Sequence, residues 1–314
     1  MIRYVFRRLA LMIPIIIGVT VLVFTIIWFT PGDAAEVLAG NAPREQVEEL
    51  RRLMGLDRPY IVQLGDYLYN VFIRHDFGKA LVNKTSISAD IVMRFPKSLI
   101  FAVFGILISV FAGIPLGVYA ALHQNKTGDS LATAFSLLFV STPGFWLALM
   151  LVLLFAYRLG WLPPYGMGGV EYWIMPVLAN CFHGVAIITR QTRSSMLEVI
   201  RSDFVVMARS KGLSEGEVIV RHALPNALIP IIAVAGMNFG GMLGGGLIIE
   251  KVFSIPGIGN YLVTAVGQRD FTAVMGGVII TSLFFSLVML AADLGMAFVD
   301  PRVKEQYSTA RRRK

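Results

Sequence analysis

Charge is scarce in this sequence: Asp, Glu, Lys and Arg together make up 15% of the 314 residues, against roughly 25% in a soluble domain. A water-soluble globule of this length has too much surface for so few charges, and a disordered chain or a coiled coil needs more still. Cysteine occurs once, at Cys181, which excludes an intrachain disulfide and any paired-cysteine zinc or redox motif. The four histidines (His75, His123, His183, His222) lie far apart with no HExxH-like pair, so local spacing points to no metal site. Cys181 and His183 are two residues apart, on different faces of a helix, and make a poor ligand pair. No GxxxxGK[ST] loop is present: Gly78-Lys79 runs on to Ala80 and lacks the earlier glycine. Nor does a motif link Ser109, Ser136 and His183 as nucleophile and base, so no catalytic residue is expected.

What is abundant is apolar. Apolar side chains, tyrosine among them, are 56% before any of the 30 glycines is counted, where soluble domains reach roughly 45–50% with glycine included. Crossing a bilayer takes about 20 mostly apolar residues in a helix, because only there does the backbone satisfy its own hydrogen bonds. The stretch Leu9–Phe29 carries no charge and follows Arg3, Arg7 and Arg8. It is too long for the apolar region of a signal peptide and is expected to be an uncleaved anchor. Further spans are expected at Ser98–Leu122, Leu131–Tyr157, about Trp173–Thr189, Ala227–Ile249 and Met275–Val299. The Trp173–Thr189 stretch is the least apolar, with Pro176, Asn180 and His183 inside it.

The net charge of +8 first has to be tested against the positive-inside rule, which needs no nucleic acid. Six crossings with the N-terminus in the cytoplasm place sixteen basic residues inside, from Arg3 through Lys126 and the Arg190–Arg221 block to the tail ending at Lys314. The two short outer loops carry only Arg158, Lys251 and Arg269. Nine basic and nine acidic residues in 31–97 offset one another, and loops of that length largely escape the rule. Both termini are therefore expected in the cytoplasm. The expected division is an N-terminal end and first helix at 1–30, an extracytoplasmic helical domain at 31–97, a core at 98–300 and a basic tail at 301–314.

Two segments outside the bilayer have pattern. Pro43 opens a stretch with Glu45, Glu48 and Glu49 early, Arg51 and Arg52 late and Gly55 as the stop, a charge order that complements a helix dipole. After Pro59, Tyr60, Leu64, Tyr67, Leu68 and Val71 recur at helical spacing. This small external domain is expected to rest against the membrane core, as a cover for helix ends or as a docking surface. In 190–225, Met196, Leu197, Ile200, Phe204 and Ala208 follow one helical stripe, with Arg209 and Lys211 in its last turn and Gly212 at the left-handed cap position. Ser214 and Glu217 then form an S-x-x-E capping box that starts a short helix, expected to end at Pro225. Helix, glycine break, helix makes a compact knuckle. It could seat in a partner's cleft, or lie as an amphipathic helix in the lipid interface.

Few polar groups lie at membrane depth. Asp293 sits well inside the last span, where a carboxylate is costly and faces a bundle interior or water. It is a candidate for the substrate path or for a hydrogen bond that locks helices together. Glu250, ahead of Lys251 at the end of the fifth span, could fix an outer gate or make an interfacial ion pair. Trp161, Tyr165, Tyr172 and Trp173 flank membrane edges, where such rings are enriched. Gly236, Gly240, Gly241, Gly244, Gly245 and Gly246 give the fifth span a small-residue face suited to close helix packing.

Type I ABC importer permeases carry a loop of the form E-A-A-x3-G-x9-I-x-L-P. Here Val206-Met207-Ala208, Gly212 three residues on, and His222-Ala223-Leu224-Pro225 nine further match its glycine, spacing and Leu-Pro, with Val206, Met207 and His222 as departures. The wider chain resembles the first permease subunit of dipeptide and oligopeptide ABC importers. The shared pieces include Pro31-Gly32-Asp33, Gly55-Leu56-Asp57-Arg58-Pro59, Arg94-Phe95-Pro96, Thr192-Arg193-Ser194-Ser195-Met196, Ala208-Arg209-Ser210-Lys211-Gly212-Leu213, Pro256-Gly257-Ile258-Gly259 and Asp300-Pro301-Arg302. The resemblance implies an all-α membrane subunit of six helices in the bacterial inner membrane. It implies pairing with a second permease subunit, two ABC ATPase subunits and an external substrate-binding protein, with peptides as cargo. ATP and magnesium belong to the ATPase subunits, and no cofactor is expected on this chain. Ala208, Arg209, Ser210, Lys211, Gly212, Leu213, Ser214 and Glu215, with Leu224 and Pro225, would then be the ATPase-coupling loop. The competing class is an ATP-independent secondary transporter or channel, which should show inverted repeats or midplane ion ligands. The two halves show no convincing repeat.

Overall fold

The structure, a computed structural model, describes residues 2–299, without the side chains of residues 2–4, 7, 243–245, 292, 293 and 295–299. The Asp293 side chain and the basic tail 301–314 therefore lie outside the described residues. The described chain is helical: α1 (Ile2–Phe29), α2 (Ala34–Ala39), α3 (Arg44–Leu53), α4 (Tyr60–Phe72), α5 (Ile87–Leu122), α6 (Thr127–Ser141), α7 (Gly144–Leu151), α8 (Glu171–Ile200), α9 (Asp203–Ser210), α10 (Glu215–Glu217), α11 (Leu224–Gly245), α12 (Leu247–Val252), α13 (Ile258–Gly267) and α14 (Phe271–Val299). A π-helical stretch, Val152–Arg158, prolongs α7, and a second, Val218–Ala223, joins α10 to α11. Lys79 and Ser86 make an isolated antiparallel bridge.

Among the described residues, five helical stretches are long and apolar enough to cross a membrane: Arg8–Phe29, Ile87–Leu122, Glu171–Ile200, Glu215–Val252 and Phe271–Ala291. The sixth expected span, Leu131–Tyr157, is not a straight rod. It is α6 followed by the Gly144–Arg158 helix, bent by 100°. The cause is local: Pro143 has no N–H to donate, and Thr142 before it is driven to an extended conformation (φ −85, ψ 122).

The chain divides into two compact units, one built mainly on Leu99–Ile255 and the other on Val5–Ser98 with Pro256–Ser286. In the first, α8 is the axle: 61% of its apolar window is buried within the chain, against 17% for α1. Small residues at intervals of four on α5 let α8 approach. A Cβ on Gly113 would stand 2.9 Å from Ile188, and one on Gly117 only 2.5 Å from Thr192 Cβ and 2.6 Å from the Thr189 carbonyl. Ser109, between Gly105 and Gly113, donates its hydroxyl to the Gly105 carbonyl at 2.8 Å and lies 3.1 Å from the Cys181 carbonyl of α8. Close backbone approach of this kind holds membrane helices together where the hydrophobic effect does not. The glycine-rich fifth span is mixed at the two glycines whose surroundings are described. Gly246 packs on Phe101, but Gly241 has nothing within 4 Å of a built Cβ.

In the second unit, α4 rests on the end of α1. Tyr60 Oη and Thr25 Oγ1 are 2.7 Å apart, and Phe24 and Trp28 make edge and tilted contacts with Tyr60 and Tyr67. Asp33 caps α2 by accepting from the Glu36 amide at 2.9 Å and also binds Arg51 of α3. Gly55 (φ +68) closes α3, with the Leu56 amide donating back to the Arg51 carbonyl at 3.0 Å. Ser98 Oγ accepts from the Ile258 amide at 2.8 Å, which ties α5 to the start of α13.

Candidate functional site

The knuckle is built on the far end of α8. Its inner face is apolar: Val205 and Ala208 of α9 and Val218, Ile219 and Ala223 of the π-helical stretch are buried in one cluster with Met196, Ile188, Ala227 and Ile231. Two expectations for this segment are corrected. The stripe from Met196 to Ala208 is not one helix, because the chain breaks at Arg201–Ser202 and α9 starts afresh. Phe204 is consequently 45% exposed instead of joining the buried stripe. Nor does Pro225 end the second helix. It lies in the first turn of α11, where a missing N–H matters least, and the wider π-helical stretch ahead of it carries the helix through.

The hinge of the knuckle is as the spacing predicts. Gly212 has φ +79 and donates its amide to the Arg209 carbonyl at 3.0 Å. Ser214 Oγ accepts from the Glu217 amide at 3.4 Å. Arg209 spans the turn with a two-pronged contact to Glu215, 3.0 Å from Nε and 2.6 Å from a terminal nitrogen. This contact raises the guanidinium's pKa above its ordinary value. The turn is thus clipped shut by a charge-assisted fork. The outer face of the knuckle carries Phe204, Val206, Met207 and Val220, all at least 45% exposed.

A buried ion pair absent from the sequence reading braces the same end of α8. Asp129, 4% exposed in the first turn of α6, accepts from Arg193 of α8 at 2.8 Å and from the Asn125 amide at 2.9 Å. An acidic residue in a first helical turn is a visible signal. Its partner 64 residues away is not.

Farther along α8 the first unit has an open cavity of about 570 Å³, walled by the α6–α7 bend, α8, α11 and Ile249 of α12. Its polar lining is Ser141, Thr142, Asn180, His183 and Asn238, and among the described residues no Asp, Glu, Lys or Arg contributes. Asn180 is 8% exposed, and its Nδ2 has no hydrogen-bond partner. Glu250, at 2% exposure, is buried in α12 beside this wall but does not line it. Gly212 and the Arg209–Glu215 clip are brought together in one turn, while Leu224 and Pro225 belong to the helix that follows.

Residues 113–305 match the family described as binding-protein-dependent transport system inner membrane component, and residues 1–102 match the N-terminal region of such membrane components. The chain belongs to this family. It is 35% identical to the dipeptide transport system permease protein DppB of Alkalihalophilus pseudofirmus, over 97% of this chain and 100% of that one. It is 36% identical to the glutathione transport system permease protein GsiC of Salmonella typhimurium, over 97% and 99%. Among solved structures, the inward-facing MetNI methionine ABC transporter matches with a TM-score of 0.58 at 16% identity, over 67% of this chain and 96% of that one, which is a likeness of fold. The protein is a multi-pass inner-membrane permease subunit of an ABC importer, and the comparisons lend nothing to an ATP-independent transporter or channel.

Proposed function

We propose that this chain forms half of the path by which an ATP-driven importer carries small peptides, and that the 203–217 knuckle is where an ATPase subunit drives it. One observation carries the reading: α8 and α11, whose ends embed the knuckle through Met196, Val218, Ala223 and Ala227, are the helices that wall the 570 Å³ cavity. A push on the knuckle therefore reaches the cavity through packed side chains, without a loop between. The exposed Phe204, Val206, Met207 and Val220 supply an apolar contact for the ATPase, and the Arg209–Glu215 clip keeps the turn rigid under load. ATP binding would draw two ATPase subunits together and turn the path toward a loaded external binding protein. Hydrolysis would reset it. ATP and magnesium act on those subunits, and this chain contributes no catalytic group.

The basic blocks at 190–221 and 302–314 favour knuckle and termini in the cytoplasm and 31–97 outside, where the binding protein delivers cargo. Peptide cargo is supported by the relatives, permeases of dipeptide and glutathione transport systems, and by a wall of neutral hydrogen-bonding groups, which suits a backbone with paired donors and acceptors. A second permease subunit would complete the path. The decisive variant is Gly212→Pro, which forces φ from +79 to about −65 and removes the amide bonded to Arg209. It should insert and assemble normally while ATP hydrolysis runs without uptake. Uptake at the wild-type rate would overturn the assignment of the knuckle.

A further inference from the structure

The second unit holds a separate, smaller cavity of about 80 Å³ between the start of α5, α13 and the loop before α14. Its floor is Ala80, Ala265 and Ala273, each at most 4% exposed, so the space is left by small side chains. Into it reach Arg94 and Tyr261. The Arg94 guanidinium lies 5.1 Å from the centre of the Tyr261 ring. Its Nε is buried with no hydrogen-bond partner, and the Tyr261 hydroxyl, on a side chain 9% exposed, is likewise buried and unpartnered.

Asp270 lines this cavity and Asp90 lies close to Tyr261, and both carboxylates already hold donors of their own. Asp270 accepts from the Val82 amide at 3.2 Å and the Ala273 amide at 3.1 Å, and Asp90 accepts from the Thr85 hydroxyl at 2.6 Å. Among the described residues none pairs with Arg94. A half-buried cation and a buried phenol, both lacking an acceptor, make an incomplete site, because a buried donor left unmet has lost its water without a replacement. Water fits, since one water needs only about 10–15 Å³, but it leaves the charge uncancelled. A carboxylate accepts from guanidinium and phenol together and cancels the charge. Asn83 and Gln268 are exposed at the rim and give it a way in.

We propose that the Arg94–Tyr261 cavity is a carboxylate-binding site. The occupant is one carboxylate group, whether of a small free acid or of a peptide's C-terminus. The site stands whether or not peptides are what the larger cavity passes. Thermal unfolding of the purified full-length chain in detergent tests it, with acetate, dialanine and dialanine amide as probes at matched ionic strength. Acetate and dialanine should raise the Tm by a saturable few degrees, and the amide should not. A response to dialanine alone assigns the site to peptide termini, and equal responses assign it to any small carboxylate. Arg94→Gln should abolish the response and Tyr261→Phe weaken it several-fold. Ala265→Val fills the space while keeping the charge and should abolish it too, which covers the case that Arg94→Gln fails to fold. No shift in the wild type, an equal shift with the amide, or a shift that survives Arg94→Gln or Ala265→Val overturns the proposal. Gly212→Pro should respond like wild type, so failure of coupling and failure of this site read out separately.

Discussion

Helices α1 and α8 are both membrane spans, yet they are opposite in kind. α1 is apolar almost throughout and buries 17% of its window in the chain, leaving the rest to lipid or a partner. α8 carries Pro176, Asn180, His183, Thr189 and Thr192, and buries 61%. The polar residues that make α8 a weak span by composition are the ones that face protein and cavity. In a membrane, low apolarity is a sign of the helix around which a subunit is organised, because polar groups there are kept from lipid by protein, even where, as at Asn180 Nδ2, Thr189 Oγ1 and Thr192 Oγ1, they are buried without a hydrogen-bond partner.

The contrast is broken most severely by steric means. Gly117→Leu adds atoms where a Cβ alone would be 2.5 Å from Thr192, and should cost more than about 3 kcal/mol, read as loss of monodisperse protein and of its thermal transition. Gly18→Leu on α1, with nothing within 4 Å of a built Cβ, should stay within about 0.5 kcal/mol. Equal damage from the two would dissolve the distinction.

Next in size is the brace at the end of α8. Arg193→Leu strands the buried Asp129 carboxylate and should cost about 2–3 kcal/mol, less than a fully buried pair because Arg193 is 29% exposed. Adding Asp129→Asn should recover part of that loss. A double-mutant cycle with no coupling would show that the pair does not hold α6 to α8.

Much of this architecture is legible in the sequence, and the rest fails for reasons that can be named. The spans, the Gly212 hinge, the Ser214 cap and the Gly55 stop follow from local chemistry that acts within one helical turn. The bend at Pro143 is local too, yet the apolar run hides it, since both arms are equally apolar. The break at Arg201–Ser202 and the passage through Pro225 depend on how the knuckle packs, which a stripe of apolar residues does not encode. Gly113 and Gly117 matter more than the equally conspicuous Gly241, because what counts is the neighbour across the interface. Asp129–Arg193 and Arg94–Tyr261 are long-range pairs, and one sequence offers no signal joining their members.

A smaller effect, on function alone, separates cavity wall from lipid face. His183→Leu combined with Asn238→Leu removes hydrogen-bonding groups from the 570 Å³ cavity without touching the α5–α8 contact. Peptide uptake should fall about tenfold, the worth of one lost hydrogen bond, while the Tm moves little. Unchanged uptake would remove this wall from the path.

The smallest effect lies in the short helices α2 and α3 that follow α1. Burial pushes the Asp33 carboxyl up, but the Arg51 hydrogen bond and the Glu36 and Ala35 amides outweigh it, so its pKa sits below the ordinary value. A carboxylate with a lowered folded pKa contributes stability that is fully present above its unfolded value, about 3.9, and is lost as pH falls through the folded one. Asp33 and Arg51 are each about one-third exposed, so solvent screening holds the contribution below about 1 kcal/mol. Amide hydrogen exchange across α2 and α3 between pH 5 and pH 3 should therefore show a slight loosening that Asp33→Asn removes, since asparagine still caps the helix but does not titrate. The α8 amides should not follow it. If they did, water-exposed and buried ion pairs would be acting as one system, and the division between the two kinds of helix would not extend to the charges beside them.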